Sequence, residues 1–189
     1  MPSPVGHVVA GLAVVWAAEA LGARRSERAA WAPPGPVAPR VPAAVPAAAC
    51  VLLALAPDAD IFIGAHRAVT HSLGAVLIVG ALAAVAAWRL RLPVRASAVV
   101  CSAVWASHIL LDWLGHDSRA PIGIMALWPL SEGYFSSGLD VFADVSRRYW
   151  NVDEFVFRNA RSVAREVAIL APFAAVAGVL RRRNRRSTG

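Results

Sequence analysis

Apolar positions along the chain gather into five runs, at about 5–22, 42–56, 71–88, 96–114 and 166–180. Uninterrupted Ala, Val and Leu at that length predict helices of membrane character, and some of the runs approach the roughly 20 residues that a full span requires. The second run is short and carries Pro42 and Pro46, which predicts a tilted or half-length segment sheltered by its neighbours. Residues 23–41 are rich in Arg, Pro and Ala; Pro33, Pro34, Pro36 and Pro39 argue against a continuous helix and predict a solvated connection. The longest polar stretch, 115–165, mixes aromatic, acidic and basic residues and predicts a cap. Within it Asn151 and Glu154 have capping-box spacing, and Phe155, Val156 and Val163 give the helix that follows an apolar stripe. Trp113, Trp128, Tyr134, Tyr149 and Trp150 suit an interfacial belt. The expected architecture is all-α: one domain over 1–189, a multi-span membrane bundle of about five hydrophobic helices with an extramembrane helical cap.

Composition moves the chain away from soluble proteins. Hydrophobic residues make up 58%, above the roughly 45–50% of soluble chains, and the mean hydropathy is +0.54. The net charge of +7 resembles a nucleic-acid signal until its distribution is read. All 19 basic residues are Arg, and twelve of them lie in three connecting or terminal segments: Arg24, Arg25, Arg28 and Arg40; Arg89, Arg91 and Arg95; and Arg181, Arg182, Arg183, Arg185 and Arg186. The positive-inside rule assigns such segments to the cytoplasm, so no nucleic acid is expected as a partner. If all five runs cross, the N-terminus lies outside and the C-terminus inside. Cys50 and Cys101 sit within apolar runs and read as small core hydrophobes. The opening residues lack a basic segment before their apolar stretch, so an uncleaved first helix is expected.

That alternation brings ligand-type side chains from four segments to the predicted outer layer: His7 opens the first run, Asp58 and Asp60 close the second, His66 and His71 precede the third, and His108 and Asp112 finish the fourth. His108 and Asp112 are four apart and share a helical face, as does His116 if the helix persists past Gly115. His116 and Asp117 form a second tier because Gly115 can end that helix. Taken singly, each residue has a plainer reading: Asp58, Asp60, Thr70 or Ser72 as helix caps, His7 as a core histidine, Arg67 as a salt-bridge partner of Asp58 or Asp60. Taken together, mixed imidazole and carboxylate donors favour a divalent transition metal, zinc first, with manganese or iron as alternatives. The number of donors exceeds one metal's needs and fits a dinuclear centre. Hydrolysis is the matching chemistry, with Asp60 or Asp112 accepting a proton and Arg67 presenting a fork to a phosphate or carboxylate.

The succession Pro4-Val5-Gly6-His7, Pro57-Asp58-Ala59-Asp60, His66-Arg67-Ala68-Val69-Thr70-His71-Ser72, Ser107-His108-Ile109-Leu110-Leu111-Asp112-Trp113 and Leu127-Trp128-Pro129 resembles the bacterial inner-membrane metal-dependent hydrolases related to the LexA-regulated membrane protein YdjM. The resemblance covers most of the chain in order and implies a multi-pass protein of the bacterial inner membrane with hydrolase activity. More distantly, the order of His7, Asp58 or Asp60, His71, His108 and Asp112 resembles the all-helical zinc-dependent phospholipase C and nuclease group; an obvious later His-x-x-x-Glu pair is missing, so this likeness extends to chemistry alone. A phosphoester or lipid ester at the membrane is the expected substrate class. The competing readings are a metal or ion transporter and a non-catalytic membrane protein with a structural His/Asp metal site.

Overall fold

A computed structural model describes residues 1–30, 46–64 and 66–187. Its helices are α1 (Pro4–Ala30), α2 (Ala47–Leu55), α3 (Leu73–Arg89), α4 (Val94–Leu114) and α5 (Val152–Ser187), with two 3₁₀ helices, Ala56–Ile63 and Val69–His71, between α2 and α3. No strand occurs among the described residues, so the expected helical membrane bundle is what forms. Among the described residues, three helices are long and apolar enough to cross a membrane: α1 over Pro4–Gly22, α4 over Val94–Leu114, and α5 within Val152–Asn184. The apolar α3 is shorter at 17 residues. With nine residues, α2 reaches only about 14 Å, under half of a roughly 30 Å hydrocarbon layer. α2 packs against α1 and α4; residues 42–45 of the second run, with Pro42, lie outside the described ones.

Two other boundaries differ from expectation. α1 continues to Ala30, well into the segment expected to be a connection from residue 23. Its prolines begin only at Pro33, and residues 31–45 lie outside the described ones. The cap also differs, because residues 115–151 form no helix. The helix expected after Asn151 is the start of α5, which runs for 36 residues. Asn151 does cap it, accepting from the Glu154 N–H at 3.2 Å, and the two side chains meet at 3.4 Å.

α1 and α5 run parallel. Ser3 meets Glu166, Glu19 meets Arg181, and Ala20 meets Asn184, at sequence offsets of 163, 162 and 164. The near-constant offset keeps the two axes together and leaves roughly four turns of α5 standing beyond the start of α1. α3 and α4 pack as neighbours through small residues, with the Ser102 hydroxyl donating to the Val76 carbonyl at 3.2 Å. A Cβ on Gly80 would collide with that same hydroxyl, so Gly80 permits the close approach. Gly80→Val is expected to lower stability in detergent by about 1–3 kcal/mol through overpacking; an unchanged thermal midpoint would contradict this account of the α3–α4 seam.

The core divides into layers. Val15, Cys50, Ala54, Val100 and Val104 join α1, α2 and α4, and both cysteines are buried free thiols, as expected of small core residues. Ala75, Trp105, Ile109 and Ile124 tie the cap to α3 and α4, and Ala10, Leu111 and Phe142 tie it to α1 and α4. Of the expected belt, Tyr149 and Trp150 are exposed. Trp128 instead clamps the start of α3: its carbonyl accepts from the Gly74 N–H at 3.1 Å, and a Cβ on Gly74 would strike its ring.

Candidate metal centre

Four local structures aim side chains at one point. Pro4, whose fixed φ suits a first helical turn, starts α1 and places His7 in the next turn. At Leu55 the chain tightens into the Ala56–Ile63 3₁₀ helix, with Pro57 in its opening turn, and this carries Asp58 and Asp60 inward. Gly64 ends it with a left-handed φ of 70°, a conformation glycine adopts without a Cβ penalty. The second 3₁₀ turn presents His71, and Ser72 then caps α3 by accepting from the Ala75 N–H at 3.0 Å. His108 and Asp112 lie one turn apart on the buried face of α4.

Asp58, His71, His108 and Asp112 each offer one atom to a common cluster that could hold a metal ion. The His71 and His108 Nε2 atoms are 3.2 Å apart, and each lies 3.2 Å from Asp112 Oδ2. Asp58 Oδ1 stands 3.7 Å from the first imidazole and 3.6 Å from the second. Zinc ligands at about 2.0–2.2 Å in a tetrahedron are separated by roughly 3.3–3.6 Å, so these five separations fit the edges of one coordination tetrahedron. Asp112 Oδ1, Asp112 Oδ2 and Asp58 Oδ1 are buried without a hydrogen-bond partner, despite the nearby nitrogens. Buried carboxylate oxygens left so are strongly unfavourable without a cation, and this donor set fits a divalent metal.

The surrounding groups orient the donors. His108 Nδ1 faces the Ala54 carbonyl at 2.7 Å, so it carries the proton and Nε2 turns a lone pair toward the cluster. His71 Nδ1 faces Asp60 Oδ2 at 3.2 Å and Thr70 Oγ1 at 3.0 Å. Asp60 is occupied at both oxygens: Oδ1 meets His66 Nδ1 at 2.8 Å, and Oδ2 accepts from the Arg67 N–H at 3.0 Å and the Thr70 hydroxyl at 2.5 Å. Asp60, His66 and His71 form a second group with ligand-type spacing, but its nitrogen from His71 is the one turned away from the first cluster. His7 stacks on His108 with centroids 3.7 Å apart and places Nε2 3.5 Å from Asp112 Oδ1. A Cβ on Gly11 would come 2.8 Å from the Ala54 Cβ, so that glycine lets α2 bring its Ala54 carbonyl up to His108.

Electrostatics point the same way. Burial would lower the pKa of His71, yet Asp112, Asp58 and Asp60 outweigh it and push the imidazole up to about 11. Burial likewise opposes ionisation of Asp58, but His108 and His71 hold it below the usual carboxylate range. Asp60 is also held low, by His66, His71 and Thr70 against burial. Three carboxylates around two or three imidazoles make a pocket of negative potential that favours positive charge.

The remaining candidates fall outside the cluster. His116 turns to solvent and pairs with Asp140 at 2.9 Å. Asp117 forms an ion pair with Arg67 and accepts from the Gly123 N–H at 2.9 Å. Arg67 therefore takes Asp117 as its ion-pair partner, in place of Asp58 or Asp60. Sequence reading missed Glu166, a fully buried carboxylate on α5 that accepts from the Ser3 N–H at 2.7 Å and from the Ser3 hydroxyl. The available signal was an acidic residue opening an apolar run, which in a bilayer calls for a partner. It also missed Arg147, whose Nη2 lies 3.3 Å from His66 Nε2.

No curated protein and no solved structure matches the chain. A family model described as YdjM inner membrane protein matches residues 1–184, a stretch containing every residue of the cluster. With nearly the whole length matched, three apolar helices able to cross a bilayer and the His/Asp cluster at their ends, the chain is a membrane protein that belongs to the YdjM inner membrane protein family.

Proposed function

We propose that the protein is a membrane-bound metal-dependent hydrolase acting on a phosphoester or lipid ester. The observation that carries the reading is the set of four converging donor atoms on Asp58, His71, His108 and Asp112, whose carboxylate oxygens are unpartnered. These four hold one divalent ion, zinc first; Asp60 and His66 act as positioning residues around His71, and His7 steadies Asp112. We assign one ion in place of the dinuclear centre expected from donor count, because Asp60, the carboxylate of the second group, has both oxygens hydrogen-bonded. When bound, the ion supplies Lewis acidity and lowers the pKa of water. Asp58 is the open side of the site: its side chain is 32% exposed, against none for His71, His108 and Asp112. Because a catalytic site keeps one position open to water, Asp58 at the exposed edge would be the donor that gives way, its freed carboxylate joining Asp60 and Asp112, the acceptors expected from sequence, as a proton acceptor.

Orientation follows from charge. The parallel α1 and α5 and the antiparallel α4 put the Arg-rich ends of α1 and α5 and the α3–α4 turn opposite the His/Asp cluster. Positive-inside asymmetry then sets the metal centre at the outer leaflet and the C-terminus in the cytoplasm, where lipid is the most accessible substrate. A transporter reading has less support, because the cluster sits at helix ends instead of at the broken midpoints of spans. The test is a screen of chromogenic phosphomonoesters, phosphodiesters and fluorogenic lipid esters with purified protein plus zinc or manganese, beside Asp58→Ala. Turnover that needs metal and falls at least about a hundredfold in Asp58→Ala is expected, given the 10²–10⁴-fold worth of general acid–base groups. Activity equal in the two proteins would sink the assignment.

A further inference from the structure

Arg67 is an unusual residue in an unusual place. Its φ of 67° lies in the left-handed region that non-glycine residues rarely occupy. The backbone is held there from both sides: its N–H donates to Asp60 Oδ2 at 3.0 Å, and its carbonyl accepts from the Met125 N–H of the cap at 3.0 Å. Strain of this kind persists only where the surroundings impose it. The side chain is more than nine-tenths buried. Nη2 donates to the Arg119 carbonyl at 3.1 Å and Nη1 lies against Asp117, while Nε is buried with no hydrogen-bond partner. A second guanidinium, Arg147, reaches over the same edge of the centre to His66 and is itself exposed. Burial lowers the pKa of Arg67, with Asp112 opposing the shift and Arg147 adding to it.

We propose that Arg67 and Arg147 form an anion subsite beside the metal centre that binds a phosphoryl oxygen of the substrate. The subsite rests on the hydrolase reading and narrows it from esters in general to phosphoesters. Both residues are tied to the Asp60–His66 pair, Arg67 through its N–H to Asp60 and Arg147 through His66 Nε2; an unfilled guanidinium donor beside a second, exposed guanidinium suits an anion, and guanidinium forks match phosphate geometry. The phosphoryl group comes from a lipid headgroup or from a soluble phosphoester; the chemistry recognised is the same.

The test uses the full chain in nanodiscs, zinc-loaded, with inorganic phosphate as the probe in calorimetric titrations. Arg147→Gln changes an exposed side chain, and Arg67→Lys keeps the buried charge while removing the fork. Each is expected to weaken phosphate binding about tenfold, the order of one charge-assisted hydrogen bond, with zinc content unchanged. Unaltered phosphate affinity in both variants overturns the proposal, as does zinc loss in Arg147→Gln. Competition then names the source: stronger displacement by dihexanoyl phosphatidylglycerol than by glycerol phosphate assigns a lipid headgroup, and the reverse order assigns a soluble ester. Displacement by neither overturns the subsite. Weakened phosphate binding in a protein that hydrolyses no ester keeps the subsite and removes the hydrolase reading; ester turnover untouched by either substitution does the opposite.

Discussion

His108→Ala is expected to empty the metal centre. His108 supplies one of four donor atoms, and its imidazole is also the one locked to the backbone of α2 through Ala54. Losing an orienting group around a metal ligand already costs 10–100-fold in affinity, so loss of a donor should exceed about a hundredfold. The wild-type protein, dialysed against trace zinc and measured by elemental analysis, should then retain close to one ion per chain and the variant almost none. The effect reaches stability as well, because a ligand that binds only the folded state at a thousandfold excess over its dissociation constant stabilises by about 4 kcal/mol. Zinc should accordingly raise the thermal midpoint of wild type and leave His108→Ala unmoved. Asp60→Asn should fall between the two, keeping the four donors but loosening His71. His116→Ala should match wild type, since that ring points to solvent. Full zinc content in His108→Ala would remove the centre as drawn.

This ordering depends on a distinction that residue types alone do not make. From sequence, seven residues qualified as ligands because they are His or Asp near helix ends, and all seven do lie in or around one cluster. What separates donors from orienters is hydrogen-bond saturation: Asp60 has both oxygens engaged, whereas Asp112 has neither. Saturation is set by the two 3₁₀ turns, whose backbone path over 56–71 carries no periodic signal. The helices of the bundle were legible because apolar runs report burial in lipid or core directly. A cap was legible but its helix-free path was not, since the 115–151 stretch is held by single contacts such as Ile124 in one core layer and Phe142 in another, and isolated apolar residues in a polar segment look like any loop. Gly115 was legible as the end of α4 because a glycine there breaks the pattern, and the structure ends the helix at Leu114.

Glu166 supplies the second large effect, and it lies outside the ligand set altogether. Its carboxylate closes the N-terminal end of α1 by accepting from the Ser3 N–H and hydroxyl, a negative charge where the helix dipole favours one. The fit is tight enough that a Cβ on Gly6 would sit 2.6 Å from Glu166 Oε2, so α1 can approach α5 only through a glycine one residue before His7. Glu166→Leu strands the buried N–H and hydroxyl of Ser3. A loss of about 3 kcal/mol in unfolding stability is expected from two hydrogen bonds to a charged acceptor with compensation by relaxation. Glu166→Gln keeps an acceptor for Ser3 and should lose less. Because His7 rides on the same turn of α1 and faces Asp112 Oδ1, tilting that turn should also weaken zinc binding about tenfold, as loss of outer-shell support does. The coupling is the decisive measurement: a Glu166→Leu protein that melts earlier yet binds zinc as tightly as wild type would leave α5 a purely structural helix. Weakened binding with every donor intact would make the α1–α5 contact part of how the centre is held.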